Sequence, residues 1–98
     1  MKINLETNGT NAVISPEGRL DTMNSPELEE LVNTGLDGVE TLTLDCAGLE
    51  YISSAGLRVL LRAQKKMDSC GTMKLINVSP MIMEIFDITG FSEILTIE

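Results

Sequence analysis

Asp45-Cys46-Ala47-Gly48-Leu49-Glu50-Tyr51-Ile52-Ser53-Ser54-Ala55-Gly56-Leu57-Arg58-Val59-Leu60-Leu61 spans the point where a β-type pattern gives way to a helical one, with two adjacent hydroxyls at the junction. Val39-Glu40-Thr41-Leu42-Thr43-Leu44-Asp45 alternates apolar and polar residues, as a half-buried strand does. Leu57, Leu60, Leu61 and Gln64 then recur at helical spacing until Gly71. The segment from Cys46 to Ser53 reads as the connecting loop. A helix start offers unpaired backbone N–H groups and the positive end of the helix dipole. A phosphate on a serine there is stabilised locally, yet it reverses the charge that a partner meets. Such chemistry is a switch rather than turnover.

Outward from this junction the elements follow in order. Lys2-Ile3-Asn4-Leu5-Glu6-Thr7 alternates, Asn8-Gly9-Thr10-Asn11 is a turn cluster, and Ala12-Val13-Ile14-Ser15 resumes β-type residues, which predicts an opening hairpin. Ser25-Pro26 reads as a helix cap and first helical position, followed by Glu27, Glu29 and Glu30 and by an apolar face of Leu28, Leu31, Val32 and Leu36. Gly35 and Gly38 end that helix. After the central helix, Met73-Lys74-Leu75-Ile76-Asn77-Val78 predicts a strand, and Ser79-Pro80 repeats the cap before Met81 to Phe86. Gly90 stops this third helix, and Ile94-Leu95-Thr96-Ile97 reads as a last strand. The order ββαβαβαβ is an α/β class. Strands joined through helices run parallel and the hairpin antiparallel, giving a mixed sheet with helices mainly on one face.

The junction resembles the signature of the STAS domain, the family named after sulfate transporters and anti-sigma factor antagonists. Members place an aspartate and a short linker before Asp-Ser-Ser-Gly-Leu, which opens a helix. Asp45 matches the leading aspartate, Ser54 the first serine of the pair, Gly56 the glycine and Leu57 the first buried helix residue. Gly18-Arg19-Leu20-Asp21 is similar to the family's early Gly-x-Leu-Asp segment, and Phe86-Asp87-Ile88-Thr89-Gly90-Phe91 to its late Phe-Asp-x-x-Gly element. The likeness therefore covers nearly the whole chain, as one STAS domain over residues 1–98. Ser53 stands where the family usually has aspartate, Ala55 where it has a second serine or threonine, and the chain stops at Glu98 where many members add a helix.

The resemblance implies a bacterial anti-sigma factor antagonist in a partner-switching system that regulates transcription. In its unphosphorylated form such a protein binds an anti-sigma factor with serine kinase activity, and the sigma factor is released. Phosphorylation, at Ser54 by alignment, breaks the complex, and a serine phosphatase restores it. The expected partner-binding residues around that serine are Asp21, Ser53, Ala55, Gly56, Arg58 and Arg62. The same resemblance allows another role, as a non-catalytic STAS subunit of a membrane transport complex. A rival from a different class is a receiver-like protein phosphorylated on Asp45. A receiver needs an acidic pair after its first strand to hold magnesium and a lysine late in the fold, whereas here two strands precede the first helix and that region lacks adjacent carboxylates.

Bulk properties narrow the options further. Ninety-eight residues at 43% hydrophobic content suffice for one core without metal or disulfide support. A net charge of −8 with only seven basic residues disfavours nucleic acid and anionic membranes, leaving proteins as the macromolecular partners. No run of about 20 apolar residues and no signal-peptide core is present, so a cytoplasmic location and no membrane insertion are expected. Without histidine or CxxC spacing, Cys46 and Cys70 read as free thiols, and no metal or other cofactor is expected. No catalytic constellation is present, so the chain reads as a non-enzyme, and without a coiled-coil pattern it reads as a monomer.

Several residues keep an ordinary reading beside the functional one. Serine is a good helix cap, which explains Ser53 or Ser54 without any switch. Against that, the central helix has no acid between Ser54 and Met67, so its positive end is left uncompensated. Arg58, Arg62 and Lys65 form one stripe with Lys66 at its margin, either a solvated face or a docking surface for an acidic partner. Gly56 carries a helix cost that close packing or access to Ser54 would explain. Asp45 suits a strand-end role, whereas Asp21 is open to partner recognition. Of Met81 and Met83, one should be core and one exposed.

Overall fold

The computed structural model describes residues 2–98. β1 (Lys2–Asn8) and β2 (Asn11–Leu20) form the expected antiparallel hairpin. Gly9 opens its two-residue turn at φ +64, the left-handed backbone that a type II′ turn requires at that position. There follow α1 (Ser25–Thr34), β3 (Thr41–Asp45), β4 (Leu49–Ile52), α2 (Ser54–Asp68), β5 (Thr72–Ile76), α3 (Pro80–Thr89) and a 3₁₀ turn at Phe91–Glu93.

The sheet runs β1-β2-β3-β5, with β4 also paired to β2. β2 is the strand that makes this possible. One side pairs with β1 along nearly its whole length, while the other pairs first with β3, over Asn11 to Ile14, and then with β4, over Gly18 to Leu20. Pro16, which has no N–H to donate, lies between the two pairings, where β2 has no ladder on that side. The register shifts between Gly18 and Arg19. Gly18 takes φ +95, unfavourable for any residue with a Cβ, and its N–H donates to the Gly48 carbonyl at 2.8 Å. The β2–β3, β2–β4 and β3–β5 ladders are all parallel, the pairing that crossover connections through a helix give.

Alternation then decides the layers. Ala12, Ile14 and Leu20 of β2, Leu42 and Leu44 of β3, and Met73 and Leu75 of β5 are buried on one face. The helices cover it with Leu28 and Val32 from α1, Leu57, Leu60 and Met67 from α2, and Ile82 and Phe86 from α3. The opposite face carries half-exposed polar residues such as Thr43 and its register neighbour Lys74. Met81 is exposed and Met83 packs against the core, the expected division.

Three expectations need correction. Leu49–Ile52 is a strand rather than part of the loop: Arg19 pairs with Tyr51 in the ladder and stacks over its ring, 4.4 Å from the centroid. The expected last strand is a single bridge between Leu75 and Ile97, because the 3₁₀ turn consumes the approach to it and Leu95 N–H bonds back to the Phe91 carbonyl. Ser25 is the first residue of α1 rather than its cap, and its hydroxyl donates to the Asp21 carbonyl.

Both cysteines are free thiols, Cys46 buried and Cys70 exposed. Burial, with Asp45 beside it, pushes the Cys46 thiol up to about 12. The folded state thus holds a proton that the unfolded chain releases near pH 9, so stability is lost as pH rises above that value. We expect denaturation midpoints to fall between pH 9 and 11, by at most about 1.4 kcal/mol per pH unit from this group. A Cys46→Ala variant should flatten that slope. Thiol titration of native protein should label Cys70 alone, with Cys46 reacting only on unfolding.

Candidate functional site

The site is assembled where β2 and β4 end side by side. The Ser53 N–H donates to the Leu20 carbonyl at 2.9 Å, so the first half of the molecule fixes the entry of α2. Ser53 has extended backbone at φ −94, ψ 177, and its hydroxyl accepts from the Gly56 N–H at 3.5 Å, which makes it the N-cap. That bond is long, at the limit of useful geometry. Ser54 is the first helical residue, and its side chain is exposed. The two serines thus divide the roles the sequence left open: Ser53 is tied to the helix end, and Ser54 presents a hydroxyl to the surface.

Gly56 is buried. A Cβ there would lie 2.7 Å from Ile52 Cγ1 and 2.8 Å from Leu20 Cγ, closer than any side chain tolerates. The glycine therefore lets α2 settle onto the ends of β2 and β4. Close packing is the reason the structure supplies for a glycine at this position.

Asp21 is half-buried and organises the turn into α1. Its carboxylate accepts from the Met23 N–H at 3.0 Å and the Asn24 N–H at 3.3 Å, while its own N–H donates to Asn24 Oδ1 at 2.7 Å. The turn it shapes lifts Met23 into solvent at 90% exposure, an apolar tip that sequence reasoning did not single out. Asp45 is likewise committed to structure, accepting from Ala47 N–H at 3.1 Å and Asn77 Nδ2 at 3.0 Å.

The basic stripe is not uniform. Arg62 pairs with Glu29 of α1, and Lys66 Nζ donates to the Val32 and Asn33 carbonyls at 3.0 and 3.2 Å, near the C-terminal end of α1. Both tie α1 to α2, so the docking role expected of Arg62 competes with an intramolecular partner. Arg58 is exposed and makes no ion pair among the described residues. It stands one turn after Ser54 on the same face.

Ser54 and Arg58 sit on a ridge between two depressions. On one side a cleft of about 190 Å³ between α1 and α2 is lined by Thr22, Ser25, Glu29, Ala55, Arg58 and Arg62. On the other a groove of about 330 Å³ is floored by Leu57, Leu61 and Phe91, with Ser54, Arg58 and Thr89 at its rim. Phe91 was quoted in the sequence only as part of a motif. Its place beside Ser54 depends on the left-handed Gly90, φ +82, which turns the chain back after α3. α2 has no acidic residue in its first turn and Lys65 and Lys66 in its last, so an anion at its start is favoured by the dipole and opposed by no neighbouring side chain on that turn. The site can present a hydroxyl, one cation and an apolar groove.

A family model described as "STAS domain" matches residues 2–98. Among individual proteins, a candidate anti-sigma factor antagonist of Bordetella bronchiseptica, BtrV, is 32% identical over 96 residues, covering 96% of this chain and 83% of its own. An anti-sigma factor antagonist from Mycobacterium paratuberculosis superposes with a TM-score of 0.87 at 21% identity, over 98% of this chain and 83% of that one. The Bacillus cell fate determinant SpoIIAA, solved in its phosphorylated form, superposes with a TM-score of 0.77 at 21% identity, over 99% of this chain and 91% of its own.

The division of labour between the serines has a measurable consequence. Ser53→Ala should cost about 0.5–1 kcal/mol of stability through loss of the cap, and Ser54→Ala close to nothing. Gly56→Ala should be the worst of the three, about 1–2 kcal/mol destabilising, since overpacking outweighs the gain in helix propensity. Urea denaturation of the three variants decides the order, and Ser54→Ala as the most destabilised would reverse the assignment.

Proposed function

This chain belongs to the STAS domain family, and on that premise we propose that it is an anti-sigma factor antagonist whose Ser54 hydroxyl is the phosphoacceptor and whose α2 ridge is the docking surface. The observation that carries this reading is the placement of Ser54: exposed, first in its helix, one turn from an arginine that makes no ion pair among the described residues, and on the rim of an apolar groove. The partner is an anti-sigma factor with serine kinase activity, and the protein itself is a non-catalytic, cytoplasmic substrate and competitor. That SpoIIAA has been solved in a phosphorylated form supports the same kind of cycle here.

In the unmodified state the half-buried Leu61 and Phe91 offer apolar area to bury against the partner, and Arg58 offers a cation for an acidic group at its rim. The kinase transfers the γ-phosphoryl group of ATP to Ser54 Oγ. The hydroxyl proton passes to a base of the kinase and ADP leaves, with magnesium held by the kinase. The new group carries about −1.5 to −2 charges at neutral pH. Within the domain the α2 N-terminus and Arg58 offset it, so the fold is retained. At the interface it faces an apolar or acidic surface without compensation, where one buried unpaired charge costs about 2 kcal/mol or more. A serine phosphatase resets the cycle.

Ser54→Ala should bind the cognate kinase constitutively and resist phosphorylation, whereas Ser54→Asp should bind roughly 30-fold more weakly. Ser53→Ala should bind like wild type, and Arg58→Glu should slow association more than Arg62→Glu does. Calorimetry and stopped-flow kinetics with the purified kinase, after mass spectrometry has located the phosphate, test the set. Phosphate on Ser53, or Ser54→Asp binding as tightly as wild type, would overturn the proposal.

A further inference from the structure

The two edges of the sheet are treated differently. On the β5 edge the C-terminal residues cover the strand: Leu75 N–H donates to the Thr96 carbonyl and Glu98 N–H to the Leu75 carbonyl, both at 2.9 Å. The β1 edge has no such cover among the described residues. β1 has no proline from residue 2 to residue 8, and its register with β2 runs without a bulge. Of the devices that usually blunt an edge strand it has neither a proline nor a bulge, only the charges of Lys2 and Glu6.

Which groups it presents follows from the hairpin. A two-residue turn makes Asn8 and Asn11 a hydrogen-bonded pair, and alternation makes Glu6–Val13, Asn4–Ser15 and Lys2–Glu17 hydrogen-bonded as well. The N–H and C=O groups of Ile3, Leu5 and Thr7 consequently point off the sheet.

We propose that β1 pairs antiparallel with β1 of a second copy of this chain, about a two-fold axis through Asn4, forming a reversible homodimer with one continuous sheet. Only registers in which facing residue numbers sum to an even value bring the outward groups of the two strands together. The register centred on Asn4 places Ile3 opposite Leu5 of the second copy and Lys2 opposite its Glu6, and by symmetry each pair occurs twice. Centring on Leu5 instead leaves Lys2 facing Asn8 and Glu6 facing Asn4, with both charges unpaired. Lys2 and Glu6 are exposed on the open face of the sheet, at non-hydrogen-bonded positions of this register, where facing side chains come closest. Ile3 and Leu5 are half-buried on the helical face. There Ile3, Glu27 and Leu31, with Lys2 at the sheet edge, line a depression of about 430 Å³ that Leu5 of the second copy would overhang. The monomer expected from the sequence rests on the chain's own apolar core and the missing coiled-coil pattern, neither of which concerns a sheet edge.

Sedimentation across roughly 10 μM to 1 mM protein covers the range suited to an edge contact of a few hydrogen bonds. Wild type should show a reversible monomer–dimer equilibrium there. Lys2→Glu and Glu6→Lys should each weaken it about tenfold, and the double charge swap should restore it. Glu6→Lys is the discriminating variant, since it lowers a net charge of −8 and would strengthen association if bulk repulsion alone governed it. Amide exchange at Ile3 and Leu5 should slow as concentration rises. A wild type that stays monomeric throughout, a double swap as weak as the single variants, or protection at α2 in place of β1 would overturn the proposal.

Discussion

Everything at the α2 ridge depends on how β2 is shared. Its first half pairs with β3 and its second with β4, and the change of partner falls between Pro16, which cannot donate, and Gly18, whose positive φ only glycine adopts readily. The bond from Ser53 N–H to the Leu20 carbonyl then anchors the entry of α2 to the end of that strand. Gly56 completes the arrangement by removing the one Cβ that would hold α2 away from Leu20 and Ile52. The hydroxyl one residue past the cap is left at the surface, between Ser53, which caps the helix, and Ala55, which lines the α1–α2 cleft.

This arrangement separates the groups that hold the fold from the proposed acceptor hydroxyl. The groups that hold the fold near the site are backbone amides, a cap and buried Leu20, Ile52, Leu57 and Leu60, none of which requires Ser54 to be uncharged. Charges nearby are sorted in the same way. Arg62 and Lys66 bind α1 to α2, while Arg58 is left for an external or added anion. Under the proposed phosphorylation of Ser54, the helix dipole and an arginine one turn on favour the added phosphate, so the modification is expected to change what a partner meets and to leave the domain intact.

Much of this was legible in the sequence. The hairpin, α1 and α2 with their apolar stripes, and the alternating strands around Leu42–Leu44 and Met73–Leu75 follow from period and turn chemistry, and the Ser53-Ser54 junction falls where the pattern changes. What was hidden is instructive. β4 has four residues with burial at Leu49 and Ile52, too short for alternation to register, and it exists because β2 offers a second ladder. The last strand looked strong by composition but is limited by a 3₁₀ turn to one bridge. Gly56 looked like an access feature because one sequence cannot show which two strands end beneath it. Phe91 lies beside Ser54 only through Gly90, and the Arg62–Glu29 pair spans two helices, so neither contact has a local signature.

The central claim is that phosphorylation acts at the ridge without remodelling the domain. The most direct measurement is a residue-by-residue comparison of amide chemical shifts and exchange rates for the unmodified and Ser54-phosphorylated protein, without any partner. The account predicts changes confined to the start of α2, from Ser53 to Arg58, and to the facing Thr89–Phe91 segment, with exchange in β2, β3 and β5 unaltered. Shifts and loss of protection spreading through Ile14, Leu42 and Leu75 would contradict it, because the switch would then work by unfolding the core.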